Sequence, residues 1–240
     1  MFSNKHFIIA LTALAYIASC KKADDTFSGA KVLTVSDLRH SFSDSYTYNG
    51  DGSLAKVINS SGDVTTYTYS GDTVVMQNIQ GGSVVANAMV FLLGGDKYAD
   101  TSWGLYQSQN SSARYAYDGN GQLTQQKNFS YGNGTSVYDN TLTSKNVTKQ
   151  IITNLTTNTQ TRYDYSYTTS TNTIGNQNFG KGFLGVGNLY LPQTRVQFNA
   201  NNDTVDVLTY KYSFDDNSQV TKMVSYNRSG TLIDSVAYGY

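Results

Sequence analysis

Tyrosine recurs at every second position along much of the chain, as in Tyr163, Tyr165 and Tyr167 with Asp164 and Ser166 between them. A period of two places successive side chains on opposite faces of an extended strand, so each such stretch has one aromatic face and one wet face. The pattern returns at Tyr46 and Tyr48, at Tyr67 and Tyr69, at Leu208, Tyr210, Tyr212 and Phe214, and at Val236, Tyr238 and Tyr240. Parallel sheets are covered on both faces, whereas antiparallel sheets tolerate water on one, so the spacing predicts antiparallel pairing. All 17 acidic residues are Asp, which favours turns and caps over helix interiors. The 20 Tyr and the single Pro fit strands as well. The expected fold is all-β: one curved antiparallel meander of about a dozen strands, or a half-open barrel, whose Tyr-rich concave face is filled by side chains.

The turns repeat too. Tyr46-Thr47-Tyr48-Asn49-Gly50-Asp51-Gly52-Ser53-Leu54 matches Tyr115-Ala116-Tyr117-Asp118-Gly119-Asn120-Gly121-Gln122-Leu123 in both tyrosines, both glycines and the leucine. A third copy, Tyr212 to Val220, keeps the aromatics and the aliphatic without the glycines, and Tyr226 to Leu232 is a partial fourth. Each reads as a strand, a loop suited to positive φ, and a returning strand whose aliphatic side chain packs beside the aromatic. Tyr115 to Thr124 resembles the tyrosine-aspartate (YD) repeat of large bacterial shell-forming toxins. Most of residues 31–240 resembles small Bacteroidota lipoproteins of unknown function with YD-like hairpins and a porin-like curved sheet. That resemblance implies a fold and no reaction. Between Thr141 and Asn178, where Thr, Asn, Ser and Gln dominate, the central Tyr alternation predicts strands over a loop.

At the other end of the chain, Lys5 and His6 precede an apolar run from Phe7 to Ala18 and then Ser19-Cys20. The run falls short of the roughly 20 residues that span a bilayer and has the layout of a signal peptide. Ile17-Ala18-Ser19-Cys20 resembles the lipobox of bacterial lipoproteins, which implies acylation of Cys20, the only cysteine. Lys21-Lys22-Ala23-Asp24-Asp25 resembles the export signal of Bacteroidota surface lipoproteins, and Asp72-Thr73-Val74, Asp203-Thr204-Val205 and Asp234-Ser235-Val236 resemble O-glycosylation sites of that phylum. The expected organisation is a signal-peptide helix over residues 1–19, a lipidated Cys and tether over 20–30, and an all-β domain over 31–240. The expected address is the outer membrane, lipid-anchored, facing either the cell surface or the periplasm.

Without residues 1–19 the chain carries a net charge of about −1, which offers nucleic acid no electrostatic footprint. Gly180-Lys181-Gly182-Phe183-Leu184-Gly185 matches the dinucleotide fingerprint GxGxxG, yet it neither follows a parallel strand nor opens a helix. It reads as a cover over the aromatic face, within a Gly-rich segment at 175–192, and no cofactor is expected. Asn49 to Gly52 and Asp118 to Gly121 resemble the start of calcium loops, but the twelfth position holds Ser60 and Phe129 in place of a bidentate Glu. Hairpin turns account for both, so no metal is expected.

No catalytic residue is assigned. His40 is the only histidine after residue 19, no GxSxG turn accompanies it, and Asp215-Asp216 reads as a solvated turn. Trp103, Tyr106, Phe179, Phe183 and Tyr190 are the candidate ligand-binding residues, as a stacking platform for a sugar or another flat ligand. A terminal aromatic, Tyr240, resembles the end of outer-membrane barrels, but the wet face of Thr, Ser, Lys and Asp argues against a spanning wall. The expected function is non-enzymatic: a binding or envelope-assembly module whose partners are the bilayer, through Cys20, and a glycan or an envelope protein. The alternatives are a surface carbohydrate-active enzyme using Asp residues, and a structural or adhesive surface protein pairing through a free strand edge.

Overall fold

The computed structural model describes residues 30–240 except 82, 107, 108 and 131–133. Cys20, the signal peptide and the export-signal residues lie outside the described residues. In chain order the strands are β1 (Thr34–Asp37), β2 (Phe42–Tyr48), β3 (Leu54–Asn59), β4 (Val64–Ser70), β5 (Thr73–Gln80), β6 (Ser83–Leu93), β7 (Ala99–Tyr106) and β8 (Gln109–Tyr117). They continue as β9 (Leu123–Ser130), β10 (Gly134–Thr143), β11 (Asn146–Asn154), β12 (Thr159–Thr171), β13 (Tyr190–Phe198), β14 (Thr204–Phe214), β15 (Val220–Tyr226) and β16 (Leu232–Gly239). Among the described residues one 3-10 turn, Gly182–Leu184, interrupts them.

Each strand pairs antiparallel with its neighbours in sequence, and β1 pairs with β16, so the meander closes into a barrel of sixteen strands. This corrects the expected half-open sheet of about a dozen strands. Closure rests on the four-residue β1, which sets Thr34 opposite Gly239 and Val35 opposite Tyr238 while pairing Val35 with Asp44 of β2. The polar stretch after Thr141 forms the end of β10, then β11 and β12, as the Tyr alternation predicts.

One turn geometry recurs at both ends of the barrel. In Asn49–Ser53 the Gly52 N–H donates to the Asn49 carbonyl at 3.0 Å and the Asn49 N–H donates to the Ser53 carbonyl at 2.9 Å. The same pair of bonds closes Asn59–Asp63, Gly94–Tyr98, Asp118–Gln122, Asn199–Asp203, Asp215–Gln219 and Asn227–Thr231. The fourth residue of each loop has positive φ, from +61° at Ser218 to +85° at Gly62. This is a turn followed by a left-handed residue, which bulges and twists the returning strand. The copy that lost its glycines keeps the geometry, because Asp215 Oδ1 accepts the N–H groups of Asn217 and Gln219 at 3.0 and 2.8 Å.

Register sets the two faces. Tyr46 lies opposite Val57, Tyr67 opposite Met76, Tyr165 opposite Arg195 and Tyr212 opposite Met223, all on the inner wall. Ser45, Thr68, Arg114, Lys149, Arg162, Lys211 and Lys222 occupy the alternate, outward positions of their strands. Outward aromatics carry cations: the Arg162 guanidinium lies 3.9 Å from the Phe198 ring centroid and Lys211 lies 5.2 Å from that of Tyr226.

The candidate ligand-binding lumen

The connection between β12 and β13 does not leave the barrel. It crosses one end and is hydrogen-bonded around the rim. Val32 N–H donates to the Asn178 carbonyl at 3.1 Å, Leu54 N–H to that of Gly180 at 3.0 Å, and Val186 N–H to that of Gly121 at 2.8 Å. Val147 N–H donates to Asn188 Oδ1 at 2.8 Å and Val220 N–H to Thr173 Oγ1 at 2.9 Å. Asn178, 1% exposed, holds the plug to itself and to the first described residue, donating to the Ala30 carbonyl and accepting from Gly175 N–H. The expected cover is therefore an end plug, residues 172–189, anchored on the β2–β3, β8–β9, β10–β11 and β14–β15 hairpins at that end.

Two of the three glycines in the GxGxxG stretch are there because backbones meet. At Gly180, φ +64°, a Cβ would lie 2.6 Å from the Leu54 nitrogen; at Gly185, φ +88°, it would lie 2.7 Å from the Gly121 carbonyl oxygen. Between them Phe183 inserts as an apolar peg. Its ring centroid lies 5.1 Å from that of Phe91 and 6.3 Å from that of Tyr69, in a cluster with Val74 and Ala99.

Buried apolar side chains concentrate at this end. Val32, Leu54, Val74, Phe91, Ala99, Phe183, Leu191 and Val220 all sit in the plug or on the strand ends around it. Leu54 and Val220 are the aliphatic positions of the repeated hairpins. The tyrosines further along the lumen are half-buried. Burial pushes the phenols of Tyr48, Tyr69 and Tyr238 up to about 12, and raises that of Tyr46 further, helped by the charge of Asp44. The aromatic face is thus half-buried, in contrast to the buried apolar side chains at the plug.

A cavity of about 400 Å³ lies on the plug, lined by Tyr46, Asn172, Ile174, Gly175, Asn176, Phe179, Lys181, Gly187 and Asn188. Phe179 packs on Tyr46 with centroids 5.3 Å apart. Tyr46 sits two residues deeper into the barrel than Tyr48, whose hydroxyl donates to the plug carbonyl of Asn178 at 3.3 Å, so the cavity is the floor of the lumen. Lys181 reaches up from the plug to 6.0 Å from the Tyr67 ring centroid. Burial lowers its pKa, opposed by the charge of Asp44, whose own pKa burial raises. Higher on the wall Arg195 lies 5.2 Å from the Tyr163 ring centroid and 3.6 Å from Asp206.

The five candidate residues do not assemble into one platform. Phe179 lines the cavity, Phe183 is 7% exposed beneath it in the apolar cluster, and Tyr190 opens β13, its N–H donating to Asn146 Oδ1 at 2.9 Å. Trp103 lies opposite Val90 and Ser112 on the outer face, 46% exposed, so its indole points away from the lumen. Tyr106 belongs to β7, and its side chain lies outside the described residues. The calcium-like carboxylates close turns: Asp118 Oδ1 accepts the N–H groups of Asn120 and Gln122, both at 2.9 Å, and Asp51 Oδ1 accepts that of Ser53. His40 is exposed, its ring nitrogen 2.7 Å from Asp37. Lys181, Tyr46 and the asparagines of the plug are the site residues that sequence reasoning missed as ligand contacts.

Fold and site define a class: an antiparallel sixteen-strand barrel, plugged at one end, with a Tyr-lined lumen. No family model matches the chain, and no curated protein matches it in sequence. Among solved structures it is similar to a porin-like protein from Bacteroides vulgatus ATCC 8482, with a TM-score of 0.64, 14% identity, and coverage of 88% of this chain and 98% of that one. A porin-like protein from Bacteroides uniformis ATCC 8492 gives a TM-score of 0.59 at 15% identity, with coverage of 88% and 97%. The likeness is one of fold.

Proposed function

We propose that the protein is a non-enzymatic receptacle held on the outer membrane by acylated Cys20, with its barrel standing in water and binding a ligand in the lumen. The supporting observation is the polarity of the wall. A membrane-spanning barrel carries an apolar band about 25 Å tall on its outside. Here the outward positions carry Ser45, Thr68, Arg114, Lys149, Lys211 and Lys222, and the outward Phe198 and Tyr226 lie against cations, while the alternating tyrosines turn inward. A lysine or arginine at the mid-plane of a bilayer costs about 2–4 kcal/mol and less toward the interfaces, so these wall cations weigh against a lipid surround. The plug suits a vessel better than a pore, and the lipobox-like Ile17 to Cys20 supplies the tether.

The adhesive alternative rested on a free strand edge, and every one of the sixteen strands is paired on both sides. The test has two arms. Cells fed an alkynyl palmitate should label the wild-type chain and not the Cys20→Ala variant, and the domain beginning at Lys21 should remain monomeric without detergent. Stepwise conductance of the purified protein in a planar bilayer, or a domain soluble only in detergent, would overturn the receptacle reading.

A further inference from the structure

The floor of the lumen presents a set of hydrogen-bonding groups whose own partners fix their orientation. Asn188 Oδ1 accepts the Val147 N–H, which fixes the amide and leaves its Nδ2 a donor without a partner among the described residues. Asn176 Nδ2 donates to the carbonyls of Leu184 and Gly185 at 3.4 and 3.2 Å, which leaves Oδ1 an acceptor without a partner among the described residues. Lys181 and Asp44 feel each other's charge from opposite sides, plug and wall, yet no ion pair joins them among the described residues. Asp44, on the wall two residues from the cavity's Tyr46 and just outside its lining, takes a long bond, 3.4 Å, from the Tyr46 hydroxyl. Beside these groups stand the rings of Tyr46 and Phe179, tilted 56° to one another.

We propose that this floor binds a neutral, hydroxyl-rich ring: a pyranose unit of a glycan. The inference rests on the receptacle reading above. A hydroxyl both donates and accepts, so adjacent sugar hydroxyls can accept from Lys181 and donate to Asp44, joining two charges that do not reach each other. Asn188 and Asn176 offer a second donor and acceptor, and the two rings receive the apolar C–H face of the sugar. The cavity volume, about 400 Å³, falls within the range of small-molecule sites. An anionic sugar fits less well, because Asp44, Asp206 and Asp234 share the inward parity of the wall and face it on entry, and Arg195, 3.6 Å from Asp206, offsets only one of the three.

Saturation-transfer NMR on the lipidated full-length protein in nanodiscs tests the assignment. The probes are the methyl glycosides of glucose, galactose, mannose, xylose, fucose and N-acetylglucosamine, with methyl glucuronoside as the charged control. Saturation is expected on at least one neutral glycoside. Its affinity should fall about tenfold or more in Lys181→Met, and in Asn188→Asp, which keeps the acceptor for Val147 and removes the donor. Unchanged melting temperatures establish that both variants fold. No saturation of any neutral glycoside, a preference for the glucuronoside, or binding indifferent to both substitutions would each overturn the sugar assignment. Those outcomes leave the receptacle intact, since it fails instead by bilayer conductance or detergent dependence.

Discussion

Replacing Gly180 by alanine should loosen the plug, and three contributions set the size of the effect. The residue has φ +64°, where an L side chain costs about 1–2 kcal/mol. Its Cβ would lie 2.6 Å from the Leu54 nitrogen and 2.9 Å from the Gly52 carbonyl oxygen, and backbone cannot rotate away as a flexible side chain does. Forcing extra volume into such a contact costs about 1–3 kcal/mol. The Leu54 N–H bond to the Gly180 carbonyl at 3.0 Å would lengthen, losing up to about 1 kcal/mol more. The sum is about 2–6 kcal/mol, concentrated where the plug meets the β2–β3 hairpin. Gly182, two residues on, is the control: nothing lies within 4 Å of its Cβ position, so Gly182→Ala should change stability by less than about 0.5 kcal/mol. Urea denaturation measures the energies, and hydrogen exchange at the amides of Val32, Leu54 and Val186 reports where the loss falls. Gly180→Ala with wild-type stability and exchange, or Gly182→Ala equally damaging, would refute the assignment of these glycines to plug packing.

Two further outcomes follow from the turns and the wall. Asp118→Ala should cost about 1 kcal/mol in urea denaturation by stripping two backbone N–H groups of their acceptor, whereas Asp118→Asn should retain most of it and added calcium should change neither. Alkaline titration should weaken the barrel. Burial holds the phenols of Tyr48, Tyr69 and Tyr238 near 12 against 10.0 in the open, so their contribution is complete below pH 10 and is lost as pH rises toward 12. Tyrosinate absorbance at 295 nm should lag behind that of the urea-unfolded chain across this window, and coincident curves would contradict it.

The strands were legible because alternation is local: each Tyr-x-Tyr stretch names its own inner face. The hairpin repeat was legible down to its degenerate copies, since Asp215 and Asn227 supply the side-chain acceptors that fix the turn even where Ser218 replaces glycine. Closure was not legible. It depends on whether Thr34 to Asp37, unremarkable as a strand, finds β16 across almost the whole chain, and no local pattern encodes that distance. At the site, Phe179 stood out as an aromatic in a glycine-rich stretch, whereas Asn172 and Asn176 lie in the polar stretch assigned to strands and Asn188 in the glycine-rich cover, with nothing to mark them as ligand contacts. Only the plug's path reveals that they face a cavity. Trp103 misled by residue type: a large aromatic suggests a platform, but its parity places it opposite Ser112 on the outside.

The central claim is that water, and not lipid, bathes the outer wall. Single cysteines at Ser45, Thr68 and Lys211, all outward, exposed and flanked by inward residues, test it in permeabilised outer-membrane preparations. Cys20 is the only native cysteine, and its thiol is consumed by the proposed acylation. A wet wall requires all three to react with a charged, membrane-impermeant maleimide about as fast as a cysteine at the exposed turn residue Ser229. Protection of the three strand positions while Ser229→Cys reacts would contradict it and place the barrel in the bilayer.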